Sequence, residues 1–172
     1  MSLDLSDLVA EATARAWFSA AGEPLTAGER AELHRAANGL PTETVADWSA
    51  AKALLSGPTW ELEAWRVDDG ERQRLFTQAA GRHGREAVLA ALSTVMAAAA
   101  AAEGAAAIAV ARAGLADPGL IKVASGAVAE ALDRAALVVA ADAGPHRFSA
   151  RHRLYLAGRW PLGVYGGRFI VL

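Results

Sequence analysis

REAVLAALSTVMAAAAAAEGAAAIAVARAGLADPGLIKVASGAVAEALDRAALVVAADAGP, from Arg85 to Pro145, decides the fold. It reads as two long alanine-rich helices, roughly Arg85 to Leu115 and Pro118 to Ala143, packed as an antiparallel pair. Asp117-Pro118 marks the start of the second, because proline at the first helical position has no amide to lose. Ile121, Ala124, Val128, Ala131, Leu132, Ala135 and Val139 recur at helical spacing and predict its apolar face. Small side chains allow two such helices to approach near the lower end of the usual spacing of about 8–10 Å. Each alanine buries about one methyl, worth roughly 0.8 kcal/mol. The pair therefore needs bulkier partners. No aromatic residue lies between Thr77 and Arg147, and all five tryptophans, Trp17, Trp48, Trp60, Trp65 and Trp160, lie outside the pair. The flanking segments are expected to wrap the pair and supply the bulk.

Residues 1–81 read as short wrapping helices. Leu5, Leu8, Val9, Ala12 and Ala16 form one stripe, with a stop expected near Gly22 and Pro24. Thr26 and Glu29 have the spacing of a capping box, in which each side chain satisfies the other's free amide. That helix is expected to end at Asn38-Gly39. The next is expected from Pro41-Thr42 to Gly57-Pro58. Asp68 and Glu71 repeat the capping spacing before ERQRLFTQAAG, and Gly81 and Gly84 bracket a joint.

The chain from His146 to Leu172, HRFSARHRLYLAGRWPLGVYGGRFIVL, is basic and aromatic. Phe148 to Gly158 fits a last helix capped by the glycine. Gly166-Gly167 between two β-prone runs is a two-residue hairpin signal, since both turn positions can take positive φ. A lone hairpin is marginal in water, so this one must lie on the helices or pair with another chain. The expected architecture is all-α: six or seven helices around the alanine-rich pair, with a small C-terminal β-hairpin, in a single domain spanning residues 1–172.

Net charge is −2, so the molecule as a whole gives no electrostatic case for nucleic acid. The charge is unevenly placed: residues 143–172 carry five arginines and no acid, while residues 1–142 carry the rest of the basic side chains and all the acids. Arginine forks match carboxylates and phosphates. Arg147, Arg151, His152, Arg153, Arg159 and Trp160 are therefore the candidate partner- or anion-binding residues. The competing reading pairs these arginines with the acidic body, so that they clamp the tail in place.

Other chemistry finds little support. There is no cysteine, hence no disulfide, thiolate site or cysteine nucleophile, which fits a cytoplasmic protein. The histidines His34, His83, His146 and His152 show no zincin spacing, and Asp68-Asp69 is explained by capping, so neither metal nor cofactor is expected. No serine-elbow or phosphate-loop pattern is present. Asp4 and Asp7 stand where a secretory signal would be basic. The uncharged run Ala87 to Ala102 is too short and too rich in alanine for a membrane span.

Glu103 is the one carboxylate that an unbroken helix would carry onto the apolar stripe, 11 residues after Leu92. There it would mark a pocket, because buried carboxylates cluster at functional sites. A bend at Gly104 would instead release it to water. Two functions are consistent with these features. One is a non-catalytic interaction protein that binds a protein partner or a second copy through the tail. The other is a small enzyme or ligand-binding domain with an interhelical pocket near Glu103.

Overall fold

The computed structural model describes residues 3–14, 16–57 and 60–172. The chain folds as α1 (Ser6–Ala14), α2 (Ala27–Ala37), β1 (Thr42–Thr44), α3 (Trp48–Leu55), α4 (Leu62–His83), α5 (Arg85–Ala98), α6 (Ala101–Arg112), α7 (Pro118–Ala141), α8 (Arg147–Leu156), β2 (Pro161–Tyr165) and β3 (Arg168–Val171). This is a mostly helical protein with a small sheet at its C-terminal end.

The long pair forms as its sequence dictates. Asp117 caps α7 through the Leu120 amide, with Pro118 just inside. The first rod, α5 with α6, folds back along α7 and breaks at Ala99–Ala100, where amides bond to carbonyls three residues back. Val88, Leu92, Val95, Ala102, Ala106 and Val110 still face inward, but Glu103 turns outward and is exposed. Of the two readings of Glu103, release to water is the one the structure shows. The rod Arg85–Arg112 is long and apolar enough to cross a bilayer by length and composition, with Leu89, Met96 and Ile108 exposed on its outer side.

α7 is the central helix. It packs on the rod, and its C-terminal half also meets α4 and α8, so Leu132, Ala135, Ala136, Leu137 and Val138 are all buried. Val139, expected inside, is exposed, because burial here no longer follows a single stripe. α4 runs the same way as α7: Arg72 pairs with Asp133 (2.6 Å), and farther on Gln78 and Arg82 donate to the Ala141 carbonyl (2.9 and 3.0 Å).

Three local expectations give way to tertiary structure. α1 ends at Ala14, well before Gly22, and Phe18 then takes a positive φ of 64°. This puts Phe18 against Trp48 and Trp160, with ring centroids at 5.4 and 5.9 Å. Thr42–Thr44 is a strand; α3 starts only at Trp48, capped by Asp47. β1 pairs in parallel with β3, and β2 pairs antiparallel with β3, so the strand order is β1-β3-β2. The hairpin thus acquires a third strand, and its turn has φ of 55° and 74° at Gly166 and Gly167. Finally, Asp68 and Glu71 cap nothing: α4 runs through them without a break.

Bulk reaches the alanine pair from the flanks, as its composition requires. Trp17, Phe18, Trp48, Tyr155 and Trp160 are buried and join the main core, while Trp60 and Trp65 stay half-exposed. A second, smaller core of Leu33, Ala36, Ala37, Ala150, Leu154, Phe169 and Val171 joins α2 and α8 to the sheet.

Candidate functional site

The arginines of the C-terminal segment turn inward. Arg147 and Arg151 lie four apart on α8, hence on one face. Arg147 Nε donates to Asp68 Oδ1 at 3.1 Å, and Arg151 Nη1 donates to Asp68 Oδ2. Arg134 of α7 brings a third guanidinium, its Nη1 3.8 Å from Asp68 Oδ2, while its Nη2 pairs with Glu130. Arg134 is buried, while its partner Glu130 is exposed. All three guanidiniums stack on the Phe148 ring, at 5.1 to 5.5 Å from its centroid, and Arg151 also stands 4.9 Å from that of Phe169.

One turn beyond Asp68, Glu71 is held by Arg74 and by His146 Nε2, at 2.7 and 2.8 Å. The Arg74 hydrogen bond, aided by His146 against the effect of burial, holds the Glu71 carboxyl down to about 2. His146 Nδ1 accepts the Phe148 amide at the start of α8. Accepting at Nδ1 fixes the proton on Nε2, which donates to Glu71.

The other candidate residues are placed separately. Arg159 is buried beside α2, where it donates to Glu29 and to the carbonyls of Ala20, Glu23 and Pro24. Arg153 pairs with Glu32 at 2.9 Å and Arg168 with Glu43 at 3.6 Å, both at the surface. His152 is buried, and its Nε2 has no partner among the described residues. Burial, then the Arg153 charge, pushes its imidazole down to about 4. Trp160, expected to present a contact surface, is 1% exposed and belongs to the core. Three of the acids that pair with the tail, Asp68, Glu71 and Glu29, carry only helix-cap spacing in the sequence.

Glu103 flanks an open groove between α6 and α7, opposite Lys122. The enclosed site lies elsewhere. A cleft of about 130 Å³ opens where α4, α7, α8 and β2 meet. Its deep part holds Asp68, Arg134, Arg151, Phe148 and Tyr155; Trp60 and Trp65 stand at its mouth, and Pro161 to Val164 close one side. Ala64, Ala127 and Ala131 leave the space open by being small. Arg134 Nε and Arg151 Nε are buried without an acceptor. The Tyr155 hydroxyl reaches only a long 3.5 Å contact to the Pro161 carbonyl, and burial, then the nearby Glu130 charge, raises its ionisation well above the usual phenol range. Tyr155 is thus a neutral donor at neutral pH. Burial also pushes the Arg151 guanidinium below its usual value, against the pull of Asp68.

Trp60 and Trp65 were legible as bulky residues, but nothing local in the sequence sets them beside Arg134. No three-residue cluster of His, Asp or Glu suited to a metal ion occurs among the described residues. Comparison with known proteins finds no matching family model, no matching curated protein and no matching solved structure.

Proposed function

We propose that this protein is a non-catalytic ligand-binding domain whose site is the cleft between α4, α7, α8 and the hairpin. One observation carries the reading: two half-exposed tryptophans frame a recess floored by buried guanidiniums. Apolar walls with a few convergent polar groups are the usual make-up of a small-molecule site. The lining offers recognition groups. Of its carboxylates, Asp68 and Glu130 are engaged by arginine and Glu61 accepts the Gly167 amide.

The test is ligand-observed NMR with a panel of small fragments on the full chain and on Ala64→Leu. Leucine at this helical, partly exposed position fills the cleft and spares the ion pairs. Fragments that bind wild type and lose binding in the variant support the reading. Fragments that bind both equally, or none that bind, contradict it.

A second reading keeps the protein partner expected from the sequence but moves it from the basic tail to the mouth of the cleft. Trp60, Leu62, Trp65 and Val67 leave four large apolar side chains 45–56% exposed in one short stretch. Soluble monomers seldom cluster such surface without a use for it. If a second copy is the partner, sedimentation shows mass rising with concentration, and Val67→Glu abolishes the rise. A concentration-independent monomer removes self-association.

A further inference from the structure

We infer that the cleft takes a single-ring aromatic carboxylate, its ring between the tryptophans at the mouth and its anionic end on Arg134 and Arg151. The inference rests on the cleft being a ligand site and adds the chemistry of the ligand.

Size comes first. A buried cavity of about 150 Å³ with apolar walls is enough to hold benzene. At about 130 Å³, open at one side, this cleft fits one ring and a small substituent. A fused ring system or a nucleotide is too large without rearrangement.

Polarity comes second. The acids that line the cleft are already engaged. Asp68 is shared by three arginines, Glu130 holds Arg134 Nη2, and Glu61 accepts the Gly167 amide. The unmet groups are donors. Arg134 Nη1 stands 3.8 Å from Asp68, beyond hydrogen-bond distance. The Tyr155 hydroxyl has only its long contact to Pro161. Arg134 Nε and Arg151 Nε also lack acceptors, but both are closed off from the cleft. A guanidinium carries several donors in a planar fork that suits a two-oxygen acceptor. A planar carboxylate laid against Arg134 and Arg151, the two guanidiniums that line the cleft, and against Tyr155 gives these donors an acceptor. A cationic ring would leave the same donors unmet.

Shape comes third. Trp60 and Trp65 are 50% and 45% exposed, so their rings are available at the mouth. Phe148 and Phe169 are already covered by the guanidiniums. The aromatic surface left for a ligand is therefore at the opening and the charge is inside. That order selects a ring carrying its carboxylate at one end.

The experiment titrates the full-length chain, labelled for NMR, with benzoate, benzyl alcohol and benzylammonium. The expected result is that benzoate binds about ten- to a hundredfold more tightly than benzyl alcohol, the range of charge-assisted hydrogen bonds. The shifts cluster at Ala127, Ala131 and Leu162 to Val164. Arg134→Lys, which keeps the charge and loses the fork, weakens benzoate about tenfold and leaves benzyl alcohol unchanged. Should that variant fail to fold, the order of the three probes on wild type still tests the carboxylate, and Ala64→Leu, by abolishing binding of every probe, places them in the cleft. If benzyl alcohol or benzylammonium binds as tightly as benzoate and Ala64→Leu still blocks it, the cleft is a site and the carboxylate assignment is wrong. If no probe shifts the cleft amides, or Ala64→Leu binds all three like wild type, the ligand site itself is overturned.

Discussion

Arg159 grips both carboxylate oxygens of Glu29, with Nε 3.0 Å from Oε1 and Nη2 3.1 Å from Oε2. The same Glu29 closes the capping box of α2 by accepting the Thr26 amide at 2.6 Å. One carboxylate thus starts a helix near the N-terminus and anchors the C-terminal segment. Burial raises its pKa, but the hydrogen bonds from Arg159 and Thr26 outweigh that and hold it below the usual range. Arg159 is 2% exposed, and removing it takes from Glu29 its charged partner and from three carbonyls a donor. Arg159→Met is expected to cost about 3–5 kcal/mol in urea unfolding. A loss under about 1 kcal/mol, typical of a surface arginine, would remove this residue from the clamp.

Acid sensitivity is expected from His152. Its folded pKa is near 4, against 6.5 for the unfolded chain, because burial and Arg153 disfavour the charged ring. In the window between these values the unfolded state binds the proton and the folded state does not. The contribution of His152 is therefore complete above pH 6.5 and is lost as pH falls through 4, by about 3 kcal/mol. Urea midpoints of wild type and His152→Leu should diverge across this window, with the leucine variant losing less on acidification. Parallel midpoints would mean the ring already carries its proton in the fold.

Two glycines with similar backbone geometry should respond unequally to alanine. Gly158 has φ of 82°, and an added Cβ would stand 2.5 Å from Ser19 Oγ and 2.8 Å from the Ala20 amide nitrogen. Gly39 has φ of 89° and open space around it. Gly39→Ala pays only the left-handed strain of about 1–2 kcal/mol. Gly158→Ala must also separate α8 from the Ala20 backbone, which bonds to the Gly158 carbonyl at 3.1 Å. Thermal melts should fall at least twice as far for Gly158→Ala, and equal melts would contradict the close approach.

The tryptophans divide in the same way. Trp160 is 1% exposed and packs on Trp48 at 5.1 Å between ring centroids. Trp160→Ala is expected to cost about 3–5 kcal/mol. Trp65→Ala, at the cleft mouth, should cost under about 1 kcal/mol while weakening any ligand that stacks there. Equal losses in unfolding experiments would refute that division.

Much of the fold is legible because its signals are local. Thr26 with Glu29, Asp117 before Pro118, and Gly166-Gly167 each specify a cap or a turn within a few residues, and each forms where expected. The alanine run between two breakers fixes the long pair. What the sequence hides depends on distant partners. Thr42–Thr44 becomes a strand because β3, at the far end of the chain, lies alongside it. Asp68 and Glu71 imitate a cap because their real partners, Arg147, Arg151 and His146, are on another helix. Glu103 is exposed just past the break at Ala99–Ala100, and no glycine or proline announces that break. The cleft combines all these difficulties, since its polar groups come from three helices.

Asp68→Asn tests most directly whether the tail is tied to the body through the floor of the cleft. Asparagine caps a helix as well as aspartate does, so a residue that merely starts a helix would tolerate the exchange. At the meeting point of Arg134, Arg147 and Arg151, the same exchange removes the one charge they share. The expected urea-unfolding result is a loss of about 3–5 kcal/mol. A variant as stable as wild type would contradict the clamp and, with it, the charged floor assigned to the cleft.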